Sequence, residues 1–540
     1  MHILMVAAEN GALPGFKVGG VADVVRDLPP ALVAAGCRVS VVCPSYGLLA
    51  RLGDVRGQGV VETRFRDART TLPLWRIGSG DAVRHFVLDH ALFSACGVGA
   101  VYCDDTDGGP FATDASKFAL FCAAVAEAAV RGAFGTLDVI HLHDWHAALL
   151  LLLRRHHPRC VALRAVRTVF TIHNLALQGV RPLRGHASSL EQWFPRMPYD
   201  PALVADPRWP DCVNPMAAAI RLADAVGTVS PSYAREILEP NAVPARGLHG
   251  GEGLEQDLRA VHARGALSGI LNGCDYPDGP APQTPPARNW PQLLALMRAE
   301  NLRLAGTRGE LHSAHFVADA RLAALAPERP RTLLVTVGRV TAQKLGLLRA
   351  AAGDARSVLD AVLDALGEDG VYLMLGSGEP DLEQFLVAAA ARRRGLILVR
   401  GYSEALTDAL YAAGDLFLMP STYEPCGISQ MFAMRAGQPC LVHAVGGLKD
   451  TVRDGITGFA FDGASTAEQA AALVARLRAA LQMRARHPER WAALRAAAAR
   501  ERFRWSDSAR EYLARLYSVG RDARMIEAPA HVPQLPEAPT

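Results

Sequence analysis

The segment that decides the fold is PSTYEPCGISQMFAMRAGQPCLVHAVGGLKDTV, which runs from Pro420 to Val452. The apolar run just before it, Leu416–Met419, is typical of a buried strand in a parallel sheet. The chain then turns and carries a single carboxylate, Glu424, next to Pro425. The pattern therefore predicts a strand whose carboxyl end presents an acidic side chain.

The rest of the segment repeats this arrangement. Its pattern predicts a helix over Ile428–Ala436 and a strand over Cys440–Val445, followed by the pair Gly446-Gly447 and a helix start at Asp450. Glycines between a strand end and a helix N-terminus are typical of sites that bind phosphate groups. They are equally typical of the tight turns of any α/β sheet, so the remaining chain has to decide between the two interpretations.

The composition indicates a globular protein with more than one domain. A chain of 540 residues is too long for one ordinary core and predicts two large domains. Half of the residues are hydrophobic and 21% are charged, which argues against a disordered chain. The formal net charge of +3 gives no strong field that would attract nucleic acid.

The cysteines and the N-terminus bear on the compartment. Ten cysteines are scattered singly without a CxxC pair, which argues against a zinc cluster or a redox centre. The N-terminal MHILMVAAEN lacks the basic region of a signal peptide and predicts a first strand. The apolar run Ala147–Leu153 is far too short to cross a bilayer. We therefore expect no membrane association, no bound metal and a reducing, cytoplasmic location.

Strands and helices alternate through the first half, which predicts a doubly wound parallel sheet. The predicted strands are Ile3–Ala8, Arg38–Val42, Arg84–Leu88, Asp138–His141, Thr168–Ile172 and Ala225–Val229, and the predicted helices are Val21–Ala35, Ala115–Gly132 and Ala217–Ala223. The proline- and glycine-rich stretch Asp275–Asn289 then predicts a linker between two domains.

A second alternating series follows and predicts a second sheet of the same kind. Its predicted strands are Leu333–Val337, Tyr372–Leu375, Leu396–Val399, Asp415–Leu418 and Leu441–Val445, with helices that include Ser357–Leu366 and Ser403–Ala413. From about Ala464 onward we expect helix without further strands, and the proline-rich Ala528–Thr540 is expected to be disordered.

Polar residues follow three predicted strands of the first half. Lys17-Val18-Gly19-Gly20 opens the first helix, where backbone N–H groups, the helix dipole and a lysine can hold a diphosphate. A tight turn before a helix explains the same residues. The runs His141–His146 and Thr171–Gly179 can hydrogen-bond sugar hydroxyls, the first beside a stacking tryptophan, Trp145. Zinc binding and a helix start capped by Asp144 are the alternatives.

Two cations follow the first strand of the second series, in the run Gly338–Lys344. Arg339 offers a bidentate fork and Lys344 a compact charge, so both can hold a leaving diphosphate. Solvated surface cations are the alternative interpretation. The next predicted strand ends in Leu375-Gly376-Ser377-Gly378, a turn beside which a base or ribose can lie.

In their order along the chain, these motifs resemble those of one known family. KVGG, HLHDWHAAL, TVFTIHNLALQG, AVGTVSPSYAREI, LSGILNGCDY, GRVTAQK and YEPCGISQ followed by GGLKDTV are similar to motifs of the bacterial glycogen synthase and plant starch synthase family of retaining glycosyltransferases. The resemblance runs from about Ile3 to about Tyr517 and implies a GT-B fold. In that fold two Rossmann-like domains face each other across a deep cleft, and a C-terminal helix crosses back. The implied division is 1–274 for the N-terminal domain, 275–330 for the linker, 331–503 for the C-terminal domain, 504–520 for the crossover helix and 521–540 for a tail.

The resemblance also implies the activity. Glucose would pass from ADP-glucose to the non-reducing end of an α-1,4-glucan such as glycogen, with retention of configuration and without a metal or other cofactor. ADP rather than UDP follows from the bacterial character of the resemblance. The implied catalytic residues are Glu424, His173, Asp144, Lys344 and Arg339. The implied substrate-binding residues are Lys17, Gly19, Gly20, Asn272, Gly376, Tyr423, Gly427, Gly446, Gly447 and Leu448.

The resemblance also implies roles for several of these residues. Lys17 and Gly20 would meet the diphosphate from the N-terminal domain, and Arg339 and Lys344 from the other side. Asp144 and His173 would bind the transferred glucose, Glu424 would serve as the catalytic carboxylate, and the backbone of Gly446–Leu448 would approach the donor. The sequence offers no obvious second carboxylate opposite Glu424, so we expect front-face transfer through an ion-pair-like transition state.

The chain departs from the family pattern in three places. The loop before Lys17 is about two residues longer, Leu345 stands where the family has glycine, and Asp275–Asp278 replaces the usual segment after Gly273. The first departure leaves acceptor choice open. The alternatives are a GT-B enzyme with another sugar nucleotide or acceptor, a glucan phosphorylase, and a catalytically silent glucan-binding relative. A phosphorylase should carry a pyridoxal-phosphate lysine motif, for which the sequence gives no sign.

Overall fold

The computed structural model describes residues 1–80, 82–105, 109–242, 249–276, 289–306, 312–352 and 356–518. The predicted linker lies largely outside these residues, as does the predicted disordered tail. The first part of the chain contains the strands β1 (His2–Val6), β2 (Arg38–Pro44), β3 (Val55–Phe65), β4 (Ala68–Ile77), β5 (Val83–Leu88), β6 (Val139–His143), β7 (Arg167–Ile172), β8 (Arg181–Pro182), β9 (Cys212–Val213), β10 (Ala225–Thr228) and β11 (Leu267–Gly269).

Nine of these strands form one sheet, in the order β11-β10-β7-β6-β1-β2-β5-β4-β3. The central strand β1 is buried along its whole length, because helices cover both faces of a parallel sheet. The two strands β3 and β4 form an antiparallel hairpin at one edge. The sequence pattern does not predict this hairpin, since its arginines and glycines interrupt the apolar alternation and most of β3 is exposed.

The second sheet contains β12 (Thr332–Val337), β13 (Gly370–Gly376), β14 (Leu396–Arg400), β15 (Leu416–Met419), β16 (Cys440–His443) and β17 (Gly458–Phe461). All are parallel, in the order β14-β13-β12-β15-β16-β17. The five predicted strands of this half are confirmed, whereas β17 was not predicted, since Gly458–Phe461 lies in the stretch ITGFAFDG, whose glycines are more typical of a turn than of a strand.

Helices lie between most of these strands. They span Gly20–Ala34, Ala112–Val130, Asp144–His156, Leu190–Trp193, Pro201–Val204, Pro215–Leu222, Pro231–Glu236, Glu255–Ala263, Trp290–Gly306, Ser313–Ala323, Ala342–Leu345, Val358–Leu366, Pro380–Arg392, Glu404–Ala413, Ser429–Arg435, Gly446–Thr451, Thr466–Arg486, Pro488–Arg500 and Trp505–Glu511. The predicted helix start at Asp450 is wrong. The helix begins at Gly446, because the last extended residue is Val445.

The strand order reverses at one point in each sheet. In the first sheet the chain leaves β1 toward β2 on one side, and β6 lies on the other side. In the second sheet β12 is flanked in the same way by β13 and β15. Loops that follow the two central strands diverge at such a point and leave a crevice, which is where open α/β sheets bind ligands.

The C-terminal segment returns to the first sheet, as predicted. After the helix Pro488–Arg500, the chain forms the helix Trp505–Glu511, which packs against the helix Gly20–Ala34, and then a short π-helix over Tyr512–Tyr517. Arg167 Nε donates to the carbonyl of Leu516 at 2.7 Å. The Tyr517 hydroxyl lies 2.8 Å from His141 Nδ1, which joins the end of the described chain to the centre of the first sheet.

A disulfide joins Cys96 and Cys103, whose Cα atoms are 5.6 Å apart. The spacing in the sequence does not predict this pair, because the cysteines seven residues apart lie in a loop with glycines rather than in a CxxC motif. The other eight cysteines are free, and seven of them are buried. None of the described helices has the length and apolar character required to cross a membrane.

The return of the C-terminal helix depends on a glycine. A Cβ atom on Gly273 would lie 2.6 Å from the backbone nitrogen of Trp505, so a larger residue cannot occupy the position without displacing the helix. We expect Gly273→Ala to destabilise the protein by about 1–3 kcal/mol, the usual cost of overpacking. Chemical denaturation measures the change. Gly53→Ala is the matched control, because no atom lies within 4 Å of its Cβ position, and equal stability of the two variants would contradict this account.

Candidate active site

The loops that follow β12 and β15 are joined at the reversal point of the second sheet. The backbone N–H of Thr422 donates to the carbonyl of Gln343 at 2.8 Å, and Gln343 Nε2 donates to the carbonyl of Tyr423 at 3.1 Å. Thr341 caps the helix Ala342–Leu345, so the cation-bearing loop has a fixed conformation. These bonds place the predicted catalytic residues of this half next to each other.

Lys344 and Glu424 form an ion pair. Lys344 Nζ donates to Glu424 Oε2, and the hydroxyl of Ser421 donates to the same oxygen at 3.0 Å. The lysine side chain is 20% exposed and the glutamate side chain 6%, so the cation faces the crevice and the carboxylate lies behind it. Arg339 is exposed on the same loop. A pairing between Lys344 and Glu424 was not predicted.

Asp144 lies at the reversal point of the first sheet, directly after β6. Its φ of +56° is in the left-handed region, where strain is common at functional sites. Asp144 Oδ1 accepts from the backbone N–H groups of His173 at 2.7 Å and Asn174 at 3.4 Å. Burial raises the pKa of Asp144 to about 7, although these two hydrogen bonds oppose the shift. Asp144 and His173, two of the predicted site residues, are therefore in direct contact, and their role toward a sugar stays a prediction.

Three histidines form a buried row beside Asp144. Burial lowers the pKa values of His141 and His173 to about 3, and that of His143 well below its ordinary value, so all three rings are neutral near pH 7. His143 Nδ1 lies 2.9 Å from His173 Nε2. A neutral imidazole has one N–H and one acceptor nitrogen, so one of these two nitrogens carries a proton and donates it to the other.

The tautomer of His173 follows from the surroundings of His143. His143 Nε2 is buried and has no hydrogen-bond partner in the part of the chain that the structure describes. A buried N–H without a partner costs more than an unused lone pair, so we assign the proton of His143 to Nδ1, which donates to His173 Nε2. The proton of His173 is then on Nδ1, where it can be donated to a hydroxyl group.

Trp145 does not supply a stacking face, which corrects the prediction. Its side chain is 3% exposed and lies among Phe111, Phe118 and His146. A Cβ atom on Gly179 would lie 2.1 Å from the Trp145 ring, so the loop that follows β7 covers the indole.

The loop that carries Lys17 is held by a residue that sequence reasoning did not select. Glu9 Oε2 accepts from the backbone N–H groups of Val18 at 2.7 Å and Gly19 at 2.6 Å, and Glu9 Oε1 accepts from the hydroxyl of Tyr102 at 2.7 Å. Lys17 itself is exposed and pairs with Asp23 at 2.6 Å. The N–H of Gly19 therefore binds a carboxylate of the chain, and Lys17 keeps its ammonium group at the surface. The sequence signal for Glu9 is its position at the end of the first apolar run.

The two glycines after β16 are required because other backbone groups of the protein pack directly against them. Cβ atoms on Gly446 and Gly447 would lie 2.0 Å from the carbonyl of Glu424 and 2.3 Å from that of Cys426. Their backbone N–H groups and that of Leu448 already have partners, namely Glu236 Oε1 at 2.8 Å, the carbonyl of Glu424 at 3.1 Å and the carbonyl of Val445 at 3.1 Å. The approach of these N–H groups to a donor stays a prediction and requires Gly446 to exchange Glu236 for the donor.

The other predicted binding residues border the same region. A Cβ on Gly376 would lie 1.9 Å from the carbonyl of Gly338, so glycine is required where β13 passes the loop after β12. The Tyr423 ring is 4.5 Å from that of His249, and Gly427 has a φ of +74° that favours glycine. Asn272 is buried, and its Oδ1 has no partner among the described residues. The loop positions of Gly20 and Arg339 are exposed.

The departure at Leu345 does not strain the loop. Leu345 has a φ of −127°, which any residue adopts, and its side chain is buried with Val340 and Leu347. The departure at Leu345 therefore leaves the cation-bearing loop next to Glu424.

Within the described residues, no group of three or more histidine, cysteine, aspartate or glutamate side chains is placed to hold a metal ion.

The chain is similar to known proteins over most of its length. A family model described as the starch synthase catalytic domain matches residues 2–260, and one described as glycosyl transferases group 1 matches residues 331–479. The glycogen synthase of Streptococcus equi subsp. equi is 34% identical, with 95% of this chain and 98% of that protein covered. The glycogen synthase of Anaeromyxobacter sp. (strain Fw109-5) is 36% identical, with 84% of this chain and 86% of that protein covered.

Two solved structures are similar. The catalytic domain of starch synthase IV from Arabidopsis thaliana, bound to ADP and acarbose, superposes with a TM-score of 0.73 at 27% identity, covering 95% of this chain and 98% of that chain. Sucrose-phosphate synthase from Thermosynechococcus elongatus gives a TM-score of 0.53 at 17% identity, covering 95% of this chain and 97% of that chain, which shows a shared fold.

The hydrogen bond from His143 to His173 can be tested by replacing its donor. We expect His143→Phe to lower kcat/KM about tenfold, the effect of losing a hydrogen bond worth about 1–1.5 kcal/mol, because His173 is then free to change tautomer. His143→Asn should keep most of the activity, since its amide can donate from the position of Nδ1. Steady-state kinetics with both variants measure this, and equal losses in the two variants would show that His143 acts only in packing.

The raised pKa of Asp144 predicts a dependence of stability on pH. A carboxyl whose pKa is about 7 in the folded protein and 3.8 in the unfolded chain stabilises the fold most at low pH, and this contribution is lost as the pH rises to 7. Asp144→Asn keeps the acceptor oxygen but does not titrate. Relative to the native protein, this variant should therefore gain about 2 kcal/mol between pH 5 and pH 8. Denaturation at several pH values measures the difference, and a constant difference contradicts the raised pKa.

Proposed function

The chain belongs to the glycogen synthase and starch synthase family, and from that premise we propose that it transfers glucose from ADP-glucose to the non-reducing end of an α-1,4-glucan with retention of configuration. It is a hexosyltransferase with the GT-B fold, and its function is that of a glycogen synthase. The identity of the nucleotide in the donor and the identity of the acceptor are what we propose. Starch synthase IV, which binds ADP and acarbose, supports an adenine nucleotide as the donor and a glucan as the acceptor.

The observation that carries the proposal is the pair of Lys344 and Glu424 at the reversal point of the second sheet. The diphosphate of a nucleotide sugar carries two negative charges and gains a third as the bond to the sugar breaks, so the protein must supply positive charge where this negative charge develops. Lys344 faces the crevice as a compact cation, and Arg339 on the same loop can add a bidentate contact. Donor binding would draw the ammonium group of Lys344 away from Glu424 toward the diphosphate.

Glu424 would then face the sugar. When Lys344 engages the diphosphate, Glu424 Oε2 keeps the hydroxyl of Ser421 and loses its ion-pair partner. A buried carboxylate in that position stabilises positive charge on the anomeric carbon as the bond to the diphosphate breaks. We propose front-face transfer, in which the acceptor hydroxyl attacks from the side of the leaving diphosphate and passes its proton to a diphosphate oxygen.

The first sheet would hold the sugar by neutral groups. The Nδ1–H of His173 is directed by His143 and can be donated to a hydroxyl of glucose. Asp144 fixes the backbone of His173 through a 2.7 Å hydrogen bond and offers its second oxygen, Oδ2, to another hydroxyl. Neutral imidazoles avoid placing a second positive charge beside the developing one, so the positive charge of the site stays at Arg339, Lys344 and Lys17.

We further propose that the reaction needs no metal or other cofactor and takes place in the cytoplasm. The cations of Lys344 and Arg339 can supply the electrophilic charge that a metal ion supplies elsewhere. A glycogen-synthesising activity also suits a compartment in which nucleotide sugars are made. Activity that is unchanged after dialysis against a chelator would support the first proposal, and loss of activity with recovery on adding a metal ion would overturn it.

Substitutions at the ion pair test the mechanism. We expect Lys344→Ala to lower kcat by about 10²–10³, because the charge opposite the diphosphate is lost, and Glu424→Gln to have a similar effect. Lys449→Ala is the matched control, since Lys449 is exposed in the same half of the protein. Thermal melting of each variant separates loss of function from loss of fold. Near-native turnover of a folded Lys344→Ala variant would show that Lys344 does not stabilise the leaving group.

The donor and acceptor are tested by incubation with radiolabelled ADP-glucose or UDP-glucose, with and without glycogen. We expect label in glycogen from ADP-glucose, and linkage analysis should find α-1,4 bonds. Transfer from UDP-glucose but not from ADP-glucose would show that UDP-glucose is the donor. Transfer to a different acceptor would favour another glycosyltransferase activity. Glycogen binding without transfer from either donor would indicate a silent relative.

A further inference from the structure

One tryptophan of the first half is presented to solvent. Trp209 is 53% exposed, on the turn between the helix Pro201–Val204 and β9. An exposed indole is uncommon, because a tryptophan usually buries a large apolar area. Pro207, Arg208, Pro210 and Asp211, its neighbours in the chain, are exposed as well.

The turn that carries Trp209 is held by a buried carboxylate. The side chain of Asp206 is 0% exposed and accepts from the backbone N–H groups of Arg208 at 2.7 Å and Trp209 at 3.2 Å. Asn214 Nδ2 donates to its other oxygen at 2.7 Å. The backbone N–H of Cys212 donates to the carbonyl of Trp209 at 2.9 Å, which closes the turn. The indole therefore projects from a fixed backbone.

A cation covers the Trp209 ring from one side. The guanidinium carbon of Arg208 lies 4.5 Å from the ring centroid. Arg208 is itself held by Asp206 Oδ2 at 3.0 Å and by Gln178 Oε1 at 2.7 Å. Because the guanidinium group covers one face, the 53% exposure of Trp209 leaves the other face for a ligand.

The turn contacts both loops that border the candidate active site. Gln178, which accepts from Arg208, belongs to the loop after β7 that begins with His173, and its Nε2 donates to the carbonyl of Glu252 at 3.1 Å. Arg208 packs on Gly253, where a Cβ would lie 2.5 Å from its Cδ. The same loop carries His249, whose ring lies 4.5 Å from that of Tyr423 at an angle of 36°, and Tyr423 precedes Glu424. Trp209 is thus fixed to the rim of the crevice.

We infer that Trp209 is a stacking platform for a glucose unit of the acceptor glucan, outside the reaction centre. The C–H face of a pyranose ring packs on an indole, and the exposed Arg208 and Asp211 provide a donor and an acceptor for its hydroxyl groups. A long glucan would bind at this rim and at the crevice together, which raises its affinity over that of a short one. The inference rests on the proposed function, since it takes the acceptor to be a glucan.

The test compares Trp209→Ala and Trp209→Tyr with Phe316→Ala. Phe316 is a matched control, because it is 60% exposed on the helix Ser313–Ala323 of the other half. Mobility in native gels that contain glycogen gives the binding constant without a donor, and initial rates with glycogen and with maltotriose give KM and kcat.

We expect Trp209→Ala to raise the dissociation constant and KM for glycogen roughly three- to tenfold, the effect of one aromatic contact, with kcat on maltotriose within about twofold of the native value. Trp209→Tyr should keep most of the affinity and Phe316→Ala all of it. In Trp209→Tyr, the change in tryptophan fluorescence on adding maltoheptaose should be lost while binding remains, and this readout holds even if the alanine variant does not fold.

Unchanged glycogen binding by a folded Trp209→Ala variant would overturn the inference. So would a change in the sedimentation of the ligand-free variant, which would place Trp209 in a contact between copies of the chain. A native protein that binds glycogen through Trp209 but transfers no glucose would refute the proposed function and leave the platform standing. A dissociation constant and a KM for glycogen that are unaffected by loss of Trp209, in a variant that still transfers glucose, would refute the platform alone.

Discussion

The reversal of strand order in a parallel sheet is the constraint on which the rest of the molecule depends. Neighbouring loops that leave the central strands in opposite directions cannot cover the sheet edge between them, so a crevice is left at the carboxyl ends. This chain has such a reversal in both sheets, at β1 and β6 and at β12 and β15. Asp144 follows one of these strands and Glu424 another, so the positions of both are set by topology before any side-chain contact is made.

Within that frame, close backbone contacts decide which residues are allowed. Gly376 lies against the carbonyl of Gly338, and Gly446 against the carbonyl of Glu424. A side chain at Gly376 would displace the loop that begins at Gly338 and carries Lys344, and one at Gly446 would displace the loop that carries Glu424. The glycines thus act by bringing charged residues together, and their N–H groups are engaged within the chain. Electrostatics then follows from burial, since Asp144 and the three histidines are removed from water while Lys344 and Arg339 face it.

The sequence predicted the two sheets well, because buried strands appear as apolar runs and glycines mark the turns at their ends. The strands around Glu424 are examples. The β3–β4 hairpin was not predictable, since an exposed edge shows no apolar pattern, and β17 was missed because Gly458–Phe461 lies among glycines that are typical of a turn. The hydrogen bond between Glu9 and Tyr102 could not be predicted, because 93 residues separate them and nothing in the chain signals that they meet. Trp145 was misassigned for a related reason, since only the fold reveals that the loop at Gly179 covers it.

The contact between His141 and Tyr517 has a consequence for the order of folding. These residues are 376 positions apart, yet the hydroxyl of Tyr517 is the partner of a histidine in the middle of the first sheet. During synthesis the N-terminal half is complete long before this partner emerges, so Nδ1 of His141 lacks it until the end of the chain is made, whereas Nε2 already has Thr171 at 2.7 Å. Closing so large a loop costs entropy, but the cost grows only slowly with its length. The first half of the protein therefore reaches its final state last, when the end of the chain returns to it.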